Sequence, residues 1–244
     1  MIFAAIADIH GNRAALEAVL ADIAALNIDD VVNLGDHVTG PLEAARTADL
    51  LMQHSFPSIR GDQDRILLEL RATGTSRRGE FKELEPRHFG WLAAMPATLR
   101  FRDEVFLCHG APNDDAAFWL DAPTADGSVQ QVPVDVIERG VAGLDASLIL
   151  CAHTHIPRVV RLGDGRLVVN PGSVGLPGYT GTRPVPYKVE TGTPDACYAI
   201  LRKAPHGWSA TIRYEPYHGS SMALLARRKG LHDWASAIES GWIR

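Results

Sequence analysis

With 244 residues, 46% of them apolar and 22% charged, and a net charge of −5, the chain has the make-up of an ordinary globular protein with length for one large domain or two small ones. Its 24 basic and 29 acidic residues are mixed along the sequence, and no basic block exceeds the pair Arg77-Arg78, which argues against binding to nucleic acid by charge alone. Three widely spaced cysteines, Cys108, Cys151 and Cys197, make buried thiols a better expectation than a disulfide framework, and with no signal-like start and no apolar run of membrane length the expected compartment is the cytoplasm.

The chain opens on Ile2 to Ala7, apolar throughout, as expected of a strand covered on both faces, and runs directly into Asp8-Ile9-His10-Gly11-Asn12. In an extended segment residues i and i+2 point to one side, so Asp8 and His10 are expected to offer an oxygen and a nitrogen to one point. On its own such a pair is equally an ordinary strand-to-loop turn. Arg13 to Leu26 reads as an amphipathic helix capped by Asn12, with Leu16, Val19, Leu20, Ile23 and Leu26 at core spacing. Val31 to Leu34 is a second strand, ending in Gly35-Asp36-His37. Pro41 to His54 is a second helix, and Pro57 to Ile59 a short third strand ending in Gly61-Asp62-Gln63-Asp64.

Arg65 to Met95 is mainly helical, with a loop at 73–79. Leu99 to Cys108 suggests a hairpin, ending in His109-Gly110. Residues 113–133 read as irregular, with Phe118 and Trp119 as a candidate lid or local core, and Val134 to Gly140 as a short helix. Ser147 to Cys151 is a strand ending in Ala152-His153-Thr154-His155. Gly163-Asp164-Gly165 joins two strands as a hairpin, followed by Asn170-Pro171-Gly172-Ser173. Residues 175–195, rich in Gly, Pro and Thr, read as an extended loop carrying Arg183, Tyr187 and Lys188. An antiparallel pair follows, and helices close the chain within 215–244. No repeat or flexible linker divides the sequence, so residues 1–244 are expected to form a single domain.

The strand ends carry the chemistry. Asp8 and His10, Asp36, Asp62, His109, then His153 and His155 each follow an apolar run, and ligands gather outside the carboxyl ends of parallel strands. Imidazole and carboxylate without thiolate suit Mn²⁺, Fe, Zn²⁺ or Ni²⁺ rather than a structural zinc site. Three carboxylates and four histidines are too many for one ion and suffice for two, with Asp36 as the natural bridge.

These motifs, in this order and spacing, resemble the calcineurin-like metallophosphoesterases, and Asn170 to Ser173 and the tail resemble their small bacterial phosphodiesterase and diadenosine-tetraphosphatase-like branch. The resemblance implies an α/β fold, a four-layer α-β-β-α sandwich of two mixed sheets flanked by helices, with a dinuclear metal site at the strand C-terminal edges. It implies one divalent ion on Asp8, His10, Asp36 and His155 and a second on Asp36, Asp62, His109 and His153. It also implies hydrolysis of a phosphodiester or nucleotide-type phosphate by attack of a metal-bridging hydroxide. The third motif departs from the family pattern. Asp62 stands where the family has Asn, and Gln63 where many members have His, a residue that protonates the leaving group or stabilises charge.

Asp36, Asp62 and His109 are thus the candidate catalytic residues, with His37 as a substitute proton donor, and Asn12 and Arg13 as candidate phosphate contacts at a helix N-terminus. The expected partner is a small phosphoester or nucleotide, without membrane or nucleic acid. The alternatives are a phosphomonoesterase or protein phosphatase of the same fold, or a catalytically weakened binding module. His54, His88, His206, His218 and His232 read as surface or loop residues.

Overall fold

The computed structural model describes residues 1–74 and 80–244, without the side chains of residues 80 and 81; of the expected loop at 73–79, residues 75–79, with the pair Arg77-Arg78, lie outside the described residues. In chain order the elements are β1 (Ile2–Ile6), α1 (Arg13–Ala25), β2 (Val31–Asn33), α2 (Ala44–Met52), α3 (Asp62–Thr73), α4 (Glu80–Glu83) and α5 (Pro86–Ala94). Then come β3 (Leu99–Phe101), β4 (Val105–Leu107), β5 (Asp121–Pro123), β6 (Val129–Gln131), α6 (Val134–Gly140), β7 (Leu148–Leu150), β8 (Arg158–Arg161) and β9 (Leu167–Asn170). The last are β10 (Gly178–Gly181), β11 (Tyr187–Glu190), β12 (Ala196–Ala204), β13 (Gly207–Glu215), α7 (Ser220–Arg228) and α8 (His232–Ser240).

Two mixed sheets dominate, one ordered β13-β12-β1-β2 and the other β3-β4-β7-β9-β8. The alternation within β1 explains how they pack. Phe3, Ala5 and Ala7 face inward with Val32, Leu34, Val105, Leu107, Leu148, Leu150 and Val169 in one core between the sheets. Ala4 and Ile6 face outward onto Leu16, Val19 and Ile23 of α1. On the far side, Ile149 and Val168 of the second sheet meet Ile137 of α6 and Trp119. The expected α-β-β-α layering is therefore present, although on the second sheet the outer layer is one short helix plus the irregular segment before it. Phe3 anchors the inner core, fully buried with its ring 5.2 Å from Phe101 and 5.8 Å from Trp208, both edge-on.

The parallel strands position the site. β1 and β2 run parallel, as do β4, β7 and β9, so their carboxyl ends converge at one edge of the sandwich. On its other side β1 pairs antiparallel with β12, Ala5 opposite Ala199.

Several expectations need correction. The 175–195 segment is not an extended loop but the antiparallel hairpin β10–β11, with Tyr179 opposite Val189 and Thr180 opposite Lys188. Its glycines and prolines hide strands only four residues long, and Val189 alone of β11 is buried. The irregular stretch 113–133 likewise contains the hairpin β5–β6. Pro57 to Ile59 forms no strand. Asn33 donates to Pro57 O at 3.0 Å and accepts from Ile59 N at 3.0 Å, and Pro57 has no N–H to extend the ladder. Leu26 lies beyond the end of α1 and is 40% exposed. His88 is fully buried, within 2.9 Å of Asp49, and not at the surface.

Candidate metal centre

Each candidate ligand follows a strand end or starts a helix. Asp8 and His10 lie between β1 and α1, Asp36 after β2, His109 after β4, and His153 and His155 after β7, while Asp62 is the first residue of α3. Asp8 and His10 do not converge as alternate residues of an extended segment. Both have left-handed backbone, at φ 53° and 50°, as have Asp36 (57°), His153 (70°) and His155 (60°). Such dihedrals are uncommon for residues with a Cβ, and clusters of them mark sites where side-chain aim outweighs backbone comfort. Backbone bonds lace the first two loops together: Asp8 N reaches Gly35 O at 3.0 Å, and Ile9 N and His10 N reach Asp36 O at 2.9 and 3.0 Å.

The glycines beside the ligands are there for space. A Cβ on Gly35, whose φ is +102°, would fall 2.3 Å from Gly61 N. Gly61 has an ordinary φ of −85°, yet a Cβ there would fall 2.0 Å from Asp36 Oδ1. The Asp36 carboxylate thus lies against the bare face of Gly61, where Oδ1 accepts from Gln63 N at 3.0 Å. Its Oδ2 is left pointing at the cluster, 3.6 Å from His10 Nε2 and 3.5 Å from His109 Nε2. Asp64 completes the support: it accepts from Asp36 N, His37 N and Gly61 N at 2.8, 3.1 and 3.0 Å.

Three groups of potential ligand atoms come together: Asp8, His10 and His155; Asp62, His109 and His153; and Asp8, Asp36 and His109, the atoms of each group lying within 4.8 Å of one another. The imidazoles are oriented from behind. His10 Nδ1 is 2.8 Å from Thr39 O, His109 Nδ1 2.7 Å from Leu34 O, and His155 Nδ1 2.7 Å from Leu176 O. A carbonyl only accepts, so each of these Nδ1 atoms carries the proton and each Nε2 presents a lone pair to the site. His10 Nε2 and His155 Nε2 then face each other at 3.2 Å, lone pair against lone pair, an arrangement that calls for a cation between them.

Other atoms are equally unfinished. Both Asp8 carboxylate oxygens and His109 Nε2 are buried without a hydrogen-bond partner. Burial pushes the Asp8 carboxyl well above the usual carboxylate range, so its ionised form calls for a neighbouring cation. Burial together with His10 pushes His155 well below the usual imidazole value, so a proton is a poor substitute for that cation between the two imidazoles. Burial favours protonation of Asp62 too, but the imidazoles of His109 and His153, 3.2 and 3.1 Å from its Oδ1, outweigh it and hold Asp62 below its ordinary value. The donor set fits divalent metal ions: carboxylate and imidazole only, with orphaned atoms directed at common points.

The cluster forms one end of a cavity of about 980 Å³, lined by His10, Asp36, Asp62, Gln63, His153 and His155 among others. Gln63 Nε2 donates to Asp62 Oδ2 at 2.7 Å. Not every expected site residue reaches this cavity. Asn12 is fully buried, capping Ala15 N at 3.2 Å and donating to Gly175 O and Tyr217 Oη at 2.9 Å each, so it holds structure rather than substrate. Arg13 is turned to Glu43, 2.8 Å away, and to Glu17, so neither phosphate contact is placed at the cavity. His37 is fully buried, bound to Asp64 and packed on Trp91 at 5.2 Å, outside the cavity lining. Arg183 and Lys188 do not line the cavity. Trp119 is core, whereas the Phe118 ring lies 5.5 Å from His153.

The sequence reading missed Thr39, whose carbonyl orients His10, and Tyr179, Leu231 and Trp234, which line the cavity. No spacing or residue type marks them. The stretch from 170 to 173 has a structural reason to be where it is: Asn170 Nδ2 donates to Ala152 O and Thr154 Oγ1 at 2.9 and 3.0 Å, and Ser173 Oγ donates to Asp8 O at 2.7 Å. These bonds tie the last ligand loop to the first.

The family model for the calcineurin-like phosphoesterase superfamily domain matches residues 1–191. The chain belongs to this superfamily. Several solved structures share its fold. A metallophosphoesterase from Sphaerobacter thermophilus is 22% identical, with a TM-score of 0.74 over 99% of this chain and 100% of its own. A hypothetical protein from Pyrococcus horikoshii OT3 is 17% identical, with a TM-score of 0.74 over 100% of this chain and 99% of its own. A putative diadenosine tetraphosphatase is 15% identical, with a TM-score of 0.53 over 88% and 95%. No curated protein matches the chain. Among the described residues no helix is long and apolar enough to cross a membrane.

Proposed function

We propose that this calcineurin-like phosphoesterase hydrolyses a phosphodiester or nucleotide-type phosphate with two divalent ions, one on Asp8, His10, Asp36 and His155 and one on Asp36, Asp62, His109 and His153. The observation that carries the reading is the pair of bare Nε2 atoms of His10 and His155, 3.2 Å apart beside the unpartnered Asp8 oxygens. Asp36 Oδ2, nearly equidistant from a histidine of each set, supports its role as the shared ligand. When bound, the ions would neutralise phosphoryl oxygens and lower the pKa of a water to near 7 (about the zinc value). Manganese is the expected metal. The reading takes residues 1–244 as one unit, supported by β12 pairing with β1. It places the protein in the cytoplasm, supported by three buried unpaired cysteines.

The chain's own contribution is to hold and to orient. Thr39, Leu34 and Leu176 fix three imidazoles by their carbonyls, and the Gln63 peptide N–H fixes Asp36. At the rim the Gln63 amide donates to Asp62, and an amide supplies no proton at neutral pH. The leaving group then departs as an anion, which favours aryl esters and nucleotide anhydrides over alkyl esters. The test is turnover of bis(p-nitrophenyl) phosphate against p-nitrophenyl phosphate with added Mn²⁺. Faster diester cleavage is expected. No turnover with Mn²⁺, Fe²⁺, Zn²⁺ or Ni²⁺ would leave a binding module in its place.

A further inference from the structure

One wall of the cavity comes from two parts of the chain that supply no ligand. The hairpin β10–β11 brings Tyr179 and Tyr187, and the turn into α8 brings Leu231 and Trp234. These rings stand directly on the metal ligands. Tyr179 lies 4.7 Å from His155 between centroids, Trp234 lies 5.8 Å from His10 edge-to-face, and Tyr187 packs on Tyr179 at 5.9 Å. The loop after Asp36 is shaped around the indole, since a Cβ on Gly40 would fall 2.6 Å from Trp234 Cη2. Leu231 is 42% exposed, and the three rings are half-buried. An aromatic surface is thus held open to water beside a phosphoester site, and covering it with a planar ring releases that hydration and adds stacking. Leu231 and Trp234 lie beyond the matched residues 1–191, whereas Tyr179 and Tyr187 lie within them.

We infer that this wall binds a nucleobase of the substrate, which makes the substrate a nucleoside phosphoester rather than a sugar or alkyl phosphate. The inference rests on the phosphoesterase reading above. The cavity lining also carries Lys82 and the Lys229–Glu83 pair at 2.9 Å, which suits hydrated ribose or phosphate and not a long apolar chain. Tyrosine hydroxyls and the indole N–H can also meet the polar edge of a base, which a purely aliphatic wall cannot do.

The test compares adenosine 5′-monophosphate with ribose 5-phosphate, identical at the phosphate and differing by the base, as ligands of the Mn²⁺-loaded protein in titration calorimetry. The expected affinity ratio favours the nucleotide by roughly 10- to 100-fold, the usual range for one base on an aromatic platform. Trp234→Ala and, separately, Tyr187→Ala should each lower that ratio at least fivefold while leaving ribose 5-phosphate binding unchanged. Circular dichroism shows that each variant is folded, and Tyr187 on its hairpin gives a result independent of any disturbance of α8. A wild-type ratio near one, with bis(p-nitrophenyl) phosphate still hydrolysed, overturns the inference and leaves the phosphoesterase reading standing. If the wild type hydrolyses no phosphoester and binds neither ligand, that reading falls and takes the inference with it.

Discussion

Asp64 Oδ2 lies 2.7 Å from His37 Nδ1, with both side chains fully buried. The same carboxylate accepts three backbone N–H groups, from Asp36, His37 and Gly61, so it is the pin on which the bridging loop and the start of α3 are hung. Burial raises the carboxyl pKa, but His37 and the backbone donors outweigh it and keep Asp64 ionised below its ordinary value. Asp64→Asn sets an amide N–H₂ against these donors, and a broken buried network of this kind costs about 3 kcal/mol. Urea unfolding of the metal-free protein should show a correspondingly lower midpoint. An unchanged midpoint would remove Asp64 from this role.

Gly61→Ala makes a sharper test of geometry than any ligand substitution. Its backbone dihedral suits alanine, so local strain is absent, yet the added methyl competes with Asp36 Oδ1 for one position. The Asp36 carboxylate must move, and metal affinity should fall by roughly 10- to 100-fold, the usual cost of losing an outer support of a metal ligand. Competition with a chromogenic chelator measures it. Wild-type affinity in the variant would show that Asp36 does not depend on this contact.

Restoring the family residue at position 63 should restore proton donation. Gln63→His is expected to raise kcat/KM for alkyl phosphodiesters by at least about tenfold, at the low end of general-acid contributions, with little effect on nitrophenyl esters that need no proton. A plot of rate against leaving-group pKa should therefore flatten. Equal gains for both substrate types would show that the effect is not protonation of the leaving group.

Away from the site, acid sensitivity is expected at Asp22. Its carboxylate holds Arg213 through bonds of 2.7 and 2.9 Å and accepts the Tyr198 hydroxyl at 2.5 Å. Burial raises the Asp22 pKa, but Arg213 and Tyr198 more than compensate and lower it from the ordinary carboxylate value. A carboxyl depressed in the folded state adds stability that is fully present above its unfolded value, near 3.9, and lost as pH falls through the folded value. Wild type should therefore exceed Asp22→Asn in stability at pH 6, and by a smaller margin at about pH 3, below the unfolded value. Urea midpoints at the two pH values decide it; a gap that stays constant would contradict the assignment.

The seven candidate ligands were legible because chemistry repeats where strands end, and a buried strand such as Ile2 to Ile6 announces itself by composition. How they converge was not legible. Asp8 and His10 meet through left-handed backbone, which no residue pattern encodes when Asp and His occupy it. Asn12 and Arg13 misled for a related reason: a helix N-terminus near a phosphate site and a plain N-cap have the same sequence. β10 and β11 stayed hidden because short strands half exposed and rich in glycine lack the apolar signal, and so Tyr179 and Tyr187 could not be placed. Trp234 reaches the cavity from a helix far along the chain, a contact set by tertiary packing alone.

The pairing of Ala5 with Ala199 has a kinetic side. The strand that delivers Asp8 and His10 emerges early in synthesis, while the strand that seals its other edge comes almost two hundred residues later. During that interval an apolar strand has one row of amide and carbonyl groups unpaired, open to slow closure and to strands of other chains. Refolding yield should therefore fall with protein concentration more steeply than for a helical protein of equal size, and the window closes only when β12 takes its place.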